Sequence, residues 1–289
     1  VTATFGARIA ASRAQHGPLV VGIDPHPGLL AAWGLGDDVV GLRSFALTVV
    51  EALGGRVAGL KPQSALFERH GAAGVAVLEE VVAASRQLGT PVIVDAKRGD
   101  IGSTMAGYAD AYLREGSALA GDAVTLSPYL GFGSLTPALQ VAAAHGRGVF
   151  VLALTSNPEG ASVQHAIDPD GVPVATAIAR AAAAANDAEL AAGEPGTTLG
   201  SVGLVVGATI GDAARRLGVD LAAVRGPLLA PGVGAQGAGA AELREVFGSA
   251  RHAVLASSSR GVLAAGPDAV ALRAAADRAR DQAVAALES

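Results

Sequence analysis

Of the 21 basic residues in this chain, 19 are arginines and only Lys61 and Lys97 are lysines. Both lysines stand where a short apolar run gives way to polar residues. The difference is chemical. A guanidinium stays protonated, whereas an ammonium is a compact cation whose pKa can be tuned and which can give up a proton. Asp95 lies two residues before Lys97, so on a strand the two side chains share a face. Lys61, at the end of another run, can add a second ammonium to that pair. A Lys–Asp–Lys array of this kind makes Lys97 a candidate proton donor. An ion pair closing a strand end is the bland alternative, since structural pairs perturb pKa values as well.

A second group of residues suits an anion. Pro231-Gly232-Val233-Gly234-Ala235-Gln236-Gly237 is a glycine-rich loop whose backbone N–H groups can cradle a phosphate, with Gln236 adding a side-chain amide. Ser259-Arg260-Gly261 follows the next apolar run and adds a guanidinium fork. Other chemistries lack their residues. There are no cysteines, hence no disulfide framework, thiolate nucleophile or cysteine metal site. The six histidines show no metal-ligand spacing, and there is no Walker loop, nucleophile elbow or dinucleotide fingerprint.

These residues need elements to hold them, and eight short, nearly uncharged runs supply the pattern: Leu19–Ile23, Val57–Leu60, Pro91–Val94, Ala123–Leu126, Gly148–Leu154, Val202–Val206, Pro227–Ala230 and Ala253–Ala256. Each reads as a parallel strand buried on both faces. Helical segments lie between them, among them Gly74–Leu88, Pro173–Leu190, Ala240–Phe247 and Pro267–Leu287, with Pro173 and Pro267 placed to start helices. Eight strand–helix alternations predict one α/β domain over residues 1–289, a (β/α)8 TIM barrel. An open doubly wound sheet is the competing architecture. A short helix over Thr2–Gln15 precedes the first strand and is expected to close the barrel floor. In such a barrel chemistry sits at the C-terminal strand ends, and there the polar residues converge: Asp24, Lys61, Asp95 to Asp100, Ser127, Thr155-Ser156-Asn157, and the two anion loops. The position after the seventh and eighth strands is also where this fold commonly binds phosphate.

Composition sets the outer limits. A chain that is 51% hydrophobic and 16% charged can bury a large aliphatic core, which excludes intrinsic disorder. A net charge of −5 argues against a general nucleic-acid binder. Val1 to Gln15 has no apolar segment suited to a signal peptide, and Met105 is the only methionine, so the chain is expected to have been trimmed or processed. The longest charge-free stretch, Ala123–Gly146, is broken by Pro128, Pro137 and several glycines, which disfavours a membrane span. A soluble, cytoplasmic protein is expected.

Asp95-Ala96-Lys97-Arg98-Gly99-Asp100-Ile101 resembles the D-x-K-x-x-D-I signature of the orotidine 5′-phosphate decarboxylase family. Gly22-Ile23-Asp24-Pro25 and the string Val94–Thr104 are similar to its longer, bacterial-type (type 2) branch. Lys61-Pro62-Gln63, Ser127-Pro128-Tyr129, Ser156-Asn157-Pro158, Pro231–Gly237 and Ser259-Arg260-Gly261 extend the likeness in order over nearly the whole chain. The resemblance implies a lyase of pyrimidine biosynthesis that needs no cofactor and no metal. It gives Asp24 a ribose hydroxyl, Lys61 the ribose and a tie to Asp95, Asp95 a place beside the substrate carboxylate, and Lys97 the protonation of C6. Asp100, with Ile101 and Thr104, enters the neighbouring subunit's site, which makes the enzyme a homodimer. Ser156 meets the pyrimidine, with Ser127 a rival one strand earlier. Gln236 and Arg260 take the phosphate, and Pro231 and Ser259 are further substrate-binding positions.

Two other functions fit parts of the pattern. Mg2+-dependent sugar-phosphate decarboxylases and aldolases share the D-x-K-x-x-D element, but Lys61 stands where they would need an acidic ligand, and a cation there repels the metal. A non-catalytic barrel that binds a phosphorylated metabolite would keep the anion loops and would not require Lys97.

Overall fold

The computed structural model describes residues 3–194, 196–233 and 238–288. Eight parallel strands, β1 (Leu19–Ile23), β2 (Gly59–Pro62), β3 (Ile93–Arg98), β4 (Ala123–Leu126), β5 (Gly148–Leu154), β6 (Val202–Val206), β7 (Leu228–Pro231) and β8 (Val254–Ser258), alternate with helices. They lie in the order β2-β1-β8-β7-β6-β5-β4-β3. Parallel bridges Leu60–Val92 and Gln63–Asp95 join the two ends, and Leu60 N–H donates to the Pro91 carbonyl at 2.9 Å. The sheet thus curls into a (β/α)8 barrel rather than lying open.

The interior is a packed plug. Val20, Ala58, Ile93, Ala123, Phe150, Val205, Leu229 and Leu255, one from each strand or its immediate start, form a single buried cluster with Phe5 and Ile9. The last two come from the N-terminal helix, Phe5–His16, which begins three residues later than the apolar pattern suggested because Thr4 caps it, accepting from Ala7 N–H at 3.2 Å. That helix is the barrel floor. Phe5 meets Phe150 edge-to-face with ring centroids 5.9 Å apart, a favoured aromatic geometry. Gly148 makes the fit possible, since a Cβ there would sit 2.0 Å from the Phe5 ring. Burying Phe5 completely contributes on the order of 2–3 kcal/mol.

The outer strand faces carry Val, Leu and Ala residues that pack against the helical layer. The helices Gly71–Gln87, Val174–Ala192, Ala240–Phe247 and Ala269–Glu288 occupy the segments expected for them, with ends moved by up to three residues. Much of the long connection after β5 is the 19-residue helix Val174–Ala192. Before it comes the expected turn, where the Asp168 carboxylate accepts from the backbone N–H groups of Asp170 and Val172 at 2.9 and 2.8 Å. Among the described residues, no helix is long and apolar enough to cross a membrane.

Four strands match their apolar runs residue for residue, and the other four end one to four residues later. The hydrogen-bond ladder continues past the last apolar residue in β2, β3, β7 and β8, so Lys61, Asp95, Lys97, Pro231, Ser257 and Ser258 lie within strands rather than beyond them.

Candidate active site

The C-terminal mouth of the barrel is a cleft of about 720 Å³. Its central feature is Asp95. Lys61 Nζ donates to Asp95 Oδ2 at 3.0 Å, and Lys97 Nζ donates to Asp95 Oδ1 at 2.5 Å. Lys61 and Asp95 are nearly sealed from solvent, with 7% and 9% of their side chains exposed, whereas Lys97 keeps 43%. Burial opposes both buried charges, but their mutual attraction outweighs it. The Asp95 carboxyl is held well below the usual range by Lys61 and Lys97, and the Lys61 ammonium is pushed up by Asp95 and Asp24. Asp95 and Lys61 are therefore ionised at neutral pH, and Lys97, the more open of the two lysines, lines the cleft.

Simple strand alternation does not bring Asp95 and Lys97 together. β3 advances from Val94 to Arg98 while β4 advances only from Val124 to Leu126, so the segment between bulges. Lys97 adopts φ +47°, a left-handed conformation that costs a non-glycine residue about 1–3 kcal/mol. A bulge re-aims a side chain, and here it turns the Lys97 ammonium back over the Asp95 carboxylate.

Around this centre the cleft wall includes Asp24, Ser156, Pro231, Ser259 and Arg260, each singled out by the sequence. Asp24 Oδ1 is buried with no hydrogen-bond partner among the described residues. A carboxylate oxygen left in that state is costly, and it is poised to accept from a ligand hydroxyl. Gly22 makes room beside it: a Cβ at Gly22 would lie 2.0 Å from Ser259 Oγ and 3.1 Å from Asp24 Oδ1. Arg260 is exposed at the start of a short helical turn, Arg260–Leu263, and among the described residues it has no carboxylate partner. Gly232 and Val233, which follow the neighbouring strand β7, line the same cleft. Gln236 lies outside the described residues.

Ser156 lines the cleft beside Thr155 and Asn157, and Ser127 is not among the lining residues. Asp100, Ile101 and Thr104 are also absent from the wall. They sit where β3 leads into the helix Gly102–Leu113, with Ile101 62% exposed and Thr104 exposed, and Asp100 Oδ1 accepts from Ile101 N–H at 2.8 Å. The cleft of one chain thus receives no side chain from this group.

Two residues of the array had escaped the sequence reading of the site. Gln63 Nε2 donates to Asp95 Oδ2 at 3.3 Å; its place two residues beyond Lys61 was the available signal. Thr125 Oγ1 donates to Asp95 Oδ1 at 2.8 Å and accepts from Lys97 N–H at 2.9 Å. It lies inside an apolar run and gave no signal. His26, Leu152, Val205 and Gly207 complete much of the wall, giving the cleft an apolar patch beside its charges.

Residues 17–275 match the Orotidine 5′-phosphate decarboxylase / HUMPS family. The orotidine 5′-phosphate decarboxylase of Salinispora arenicola is 63% identical over 95% of both chains, and that of Streptomyces coelicolor is 57% identical over the same shares. A crystal structure from Streptomyces avermitilis is similar with a TM-score of 0.92 at 56% identity, covering 100% of this chain and 97% of that one. Leishmania donovani OMP decarboxylase has a TM-score of 0.73 at 30% identity over 99% of both chains.

Proposed function

The chain belongs to the orotidine 5′-phosphate decarboxylase / HUMPS family, and on that premise we propose how its residues work. It converts orotidine 5′-monophosphate to uridine 5′-monophosphate and CO2 in pyrimidine biosynthesis, the activity borne by relatives at 57–63% identity. The observation that carries the residue assignment is the buried Asp95 held between Lys61 and the accessible Lys97.

When the C6–carboxylate bond breaks, its electron pair stays on C6, in the ring plane and out of reach of the π-system. Stabilisation must then be electrostatic, and Lys97 offers a cation oriented in advance by Asp95. Its ammonium donates a proton to C6, forming the C6–H bond of the product. The neutral amine regains its proton from solvent, to which 43% of the side chain is open. Asp95 lies beside the departing carboxylate. Asp24 Oδ1 accepts from a ribose hydroxyl, Lys61 binds the ribose, and Ser156 meets the pyrimidine. Gln236 and Arg260 hold the phosphate, remote from C6, so that their binding energy serves the transition state, and Pro231 and Ser259 line the substrate cleft. Lys61 supplies a cation where a metal-dependent relative would place Mg2+. Residues 1–289 act as one barrel domain, in the cytoplasm, as a homodimer without cofactor. In the dimer Asp100, Ile101 and Thr104 complete the partner's cleft, a role supported by the exposure of Ile101 and Thr104.

The test mixes the protein with orotidine 5′-monophosphate and follows its ultraviolet absorbance with and without EDTA. Conversion unaffected by EDTA is expected, and conversion that requires added Mg2+ overturns the metal-free mechanism. Lys97→Ala is expected to retain its fold and lose at least about a thousandfold in kcat, within the range for loss of a positioned acid and its charge. A variant retaining a tenth of the wild-type kcat, a barrier change of only about 1.4 kcal/mol, refutes the assignment of Lys97.

A further inference from the structure

We infer that Thr125 is a positioning residue for this reaction, coupling the charge of Asp95 to the backbone conformation of Lys97. The inference rests on the assignment of Lys97 as proton donor.

Its hydroxyl has no orientational freedom. The Lys97 backbone N–H can only donate, so Thr125 Oγ1 must accept from it, at 2.9 Å. The single hydroxyl proton is then left for the ionised Asp95 Oδ1, 2.8 Å away. Lys97 Nζ meets that same oxygen at 2.5 Å. A closed ring results: Asp95 carboxylate, Lys97 ammonium, Lys97 backbone, Thr125 hydroxyl, and back to Asp95. Rotating the Lys97 backbone out of φ +47° breaks the amide contact and carries the ammonium away from Asp95.

The location explains why a side chain is needed. At the bulge, the advance from Val94 to Arg98 on β3 spans only Val124 to Leu126 on β4. Thr125 is the β4 residue opposite the bulge, and its hydroxyl supplies the acceptor for Lys97 N–H. Thr125 is 1% exposed and does not line the cleft, so it acts through Lys97 and Asp95 and not on the substrate. Asp95 holds four donors, two per oxygen: Lys61 and Gln63 on Oδ2, Lys97 and Thr125 on Oδ1. Of these, Thr125 alone also fixes the proton donor's main chain.

The experiment compares Thr125→Val, which keeps shape and removes the hydroxyl, with Thr125→Ser, which keeps the hydroxyl. Expected for Thr125→Val is a loss of at least about tenfold in kcat, the equivalent of about 1.4 kcal/mol, with KM within threefold because the remote contacts are untouched. The second readout is exchange of the uridine 5′-monophosphate C6 hydrogen with deuterated solvent, which reports proton transfer at C6 alone and should fall in parallel. Thr125→Ser should recover both to within about threefold of wild type, a difference worth roughly 0.65 kcal/mol. Should Thr125→Val not fold, Thr125→Ala set against Thr125→Ser makes the same comparison. Equal kcat and equal exchange in the hydroxyl-free and hydroxyl-bearing variants overturns the inference. Lys97→Ala, run alongside, separates the two failures: if it too exchanges and turns over normally, the assignment of Lys97 has failed, whereas an inactive Lys97→Ala beside an unimpaired Thr125→Val condemns only the role of Thr125.

Discussion

Replacing Asp95 by Asn strips the centre of the array of its charge without changing its shape. Lys61 would then be a buried ammonium, with 7% of its side chain exposed, and its former partner would be a neutral amide. Asp24 still attracts it, but Lys97 now repels it across the same amide. Removing one member of a buried ion pair typically costs about 3–5 kcal/mol because a charge is left uncompensated. With Asp24 as partial compensation, we take the lower end, about 3 kcal/mol. For 289 residues, an unfolding entropy near 2.1 cal/mol/K per residue gives about 0.6 kcal/mol per degree. Asp95→Asn should therefore lower Tm by about 5 °C. Lys61→Met in the same background should return much of that loss, since it removes the stranded charge. The pH dependence follows from linkage. Asp95 has its folded pKa depressed, so its contribution is complete above the unfolded carboxyl range, about pH 4, and fades as pH falls through the folded value. Lys61 has its folded pKa raised, so its contribution is complete below about pH 10 and fades as pH rises through the folded value. The gap between wild type and Asp95→Asn should stay level from pH 5 to 7, on the order of the same 3 kcal/mol, and close in stronger acid as Asp95 protonates and in base as the stranded Lys61 ammonium of the variant gives up its proton. Thermal unfolding at several pH values measures it. A Tm within 1 °C of wild type at pH 7, or a gap that widens as pH falls from 6 to 4, refutes the reasoning.

Two further expectations concern the rim. Arg260→Ala should lower kcat/KM by about two orders of magnitude, from charge-assisted hydrogen bonds to phosphate worth about 1.5–3 kcal/mol each; steady-state kinetics with Arg260→Lys failing to restore it tests the need for a planar fork, and full rescue by Lys argues for a point charge instead. Gly22→Ala should displace Ser259, whose Oγ would lie 2.0 Å from the new Cβ, and raise KM severalfold with Tm nearly unchanged; wild-type kinetics would show that Ser259 can swing clear of the substrate.

The strand ends differ from the apolar runs for a physical reason. An apolar run ends where side chains begin to meet water or ligand, but a hydrogen-bond ladder ends where the backbone diverges. For β1, β4, β5 and β6 the two criteria coincide. For β2, β3, β7 and β8 the ladder outruns the apolar run and carries Lys61, Asp95, Lys97, Pro231, Ser257 and Ser258 into the strands. All six lie on the cleft wall. Rigid strand backbone therefore holds the charged centre, which is what a preorganised site requires, and the departure from hydrophobic patterning falls where function is expected to break local rules. The lysine count revealed Lys61 and Lys97 because their chemistry contrasts with 19 arginines. The bulge that aims Lys97, and the buried Thr125 that pins it, stayed hidden because a positive φ at lysine and a hydroxyl inside Ala-Val-Thr-Leu leave no mark on composition or period. Types of residue could be read along the chain, whereas the contact that makes Lys97 a poised donor arises only when β3 and β4 are laid side by side out of step.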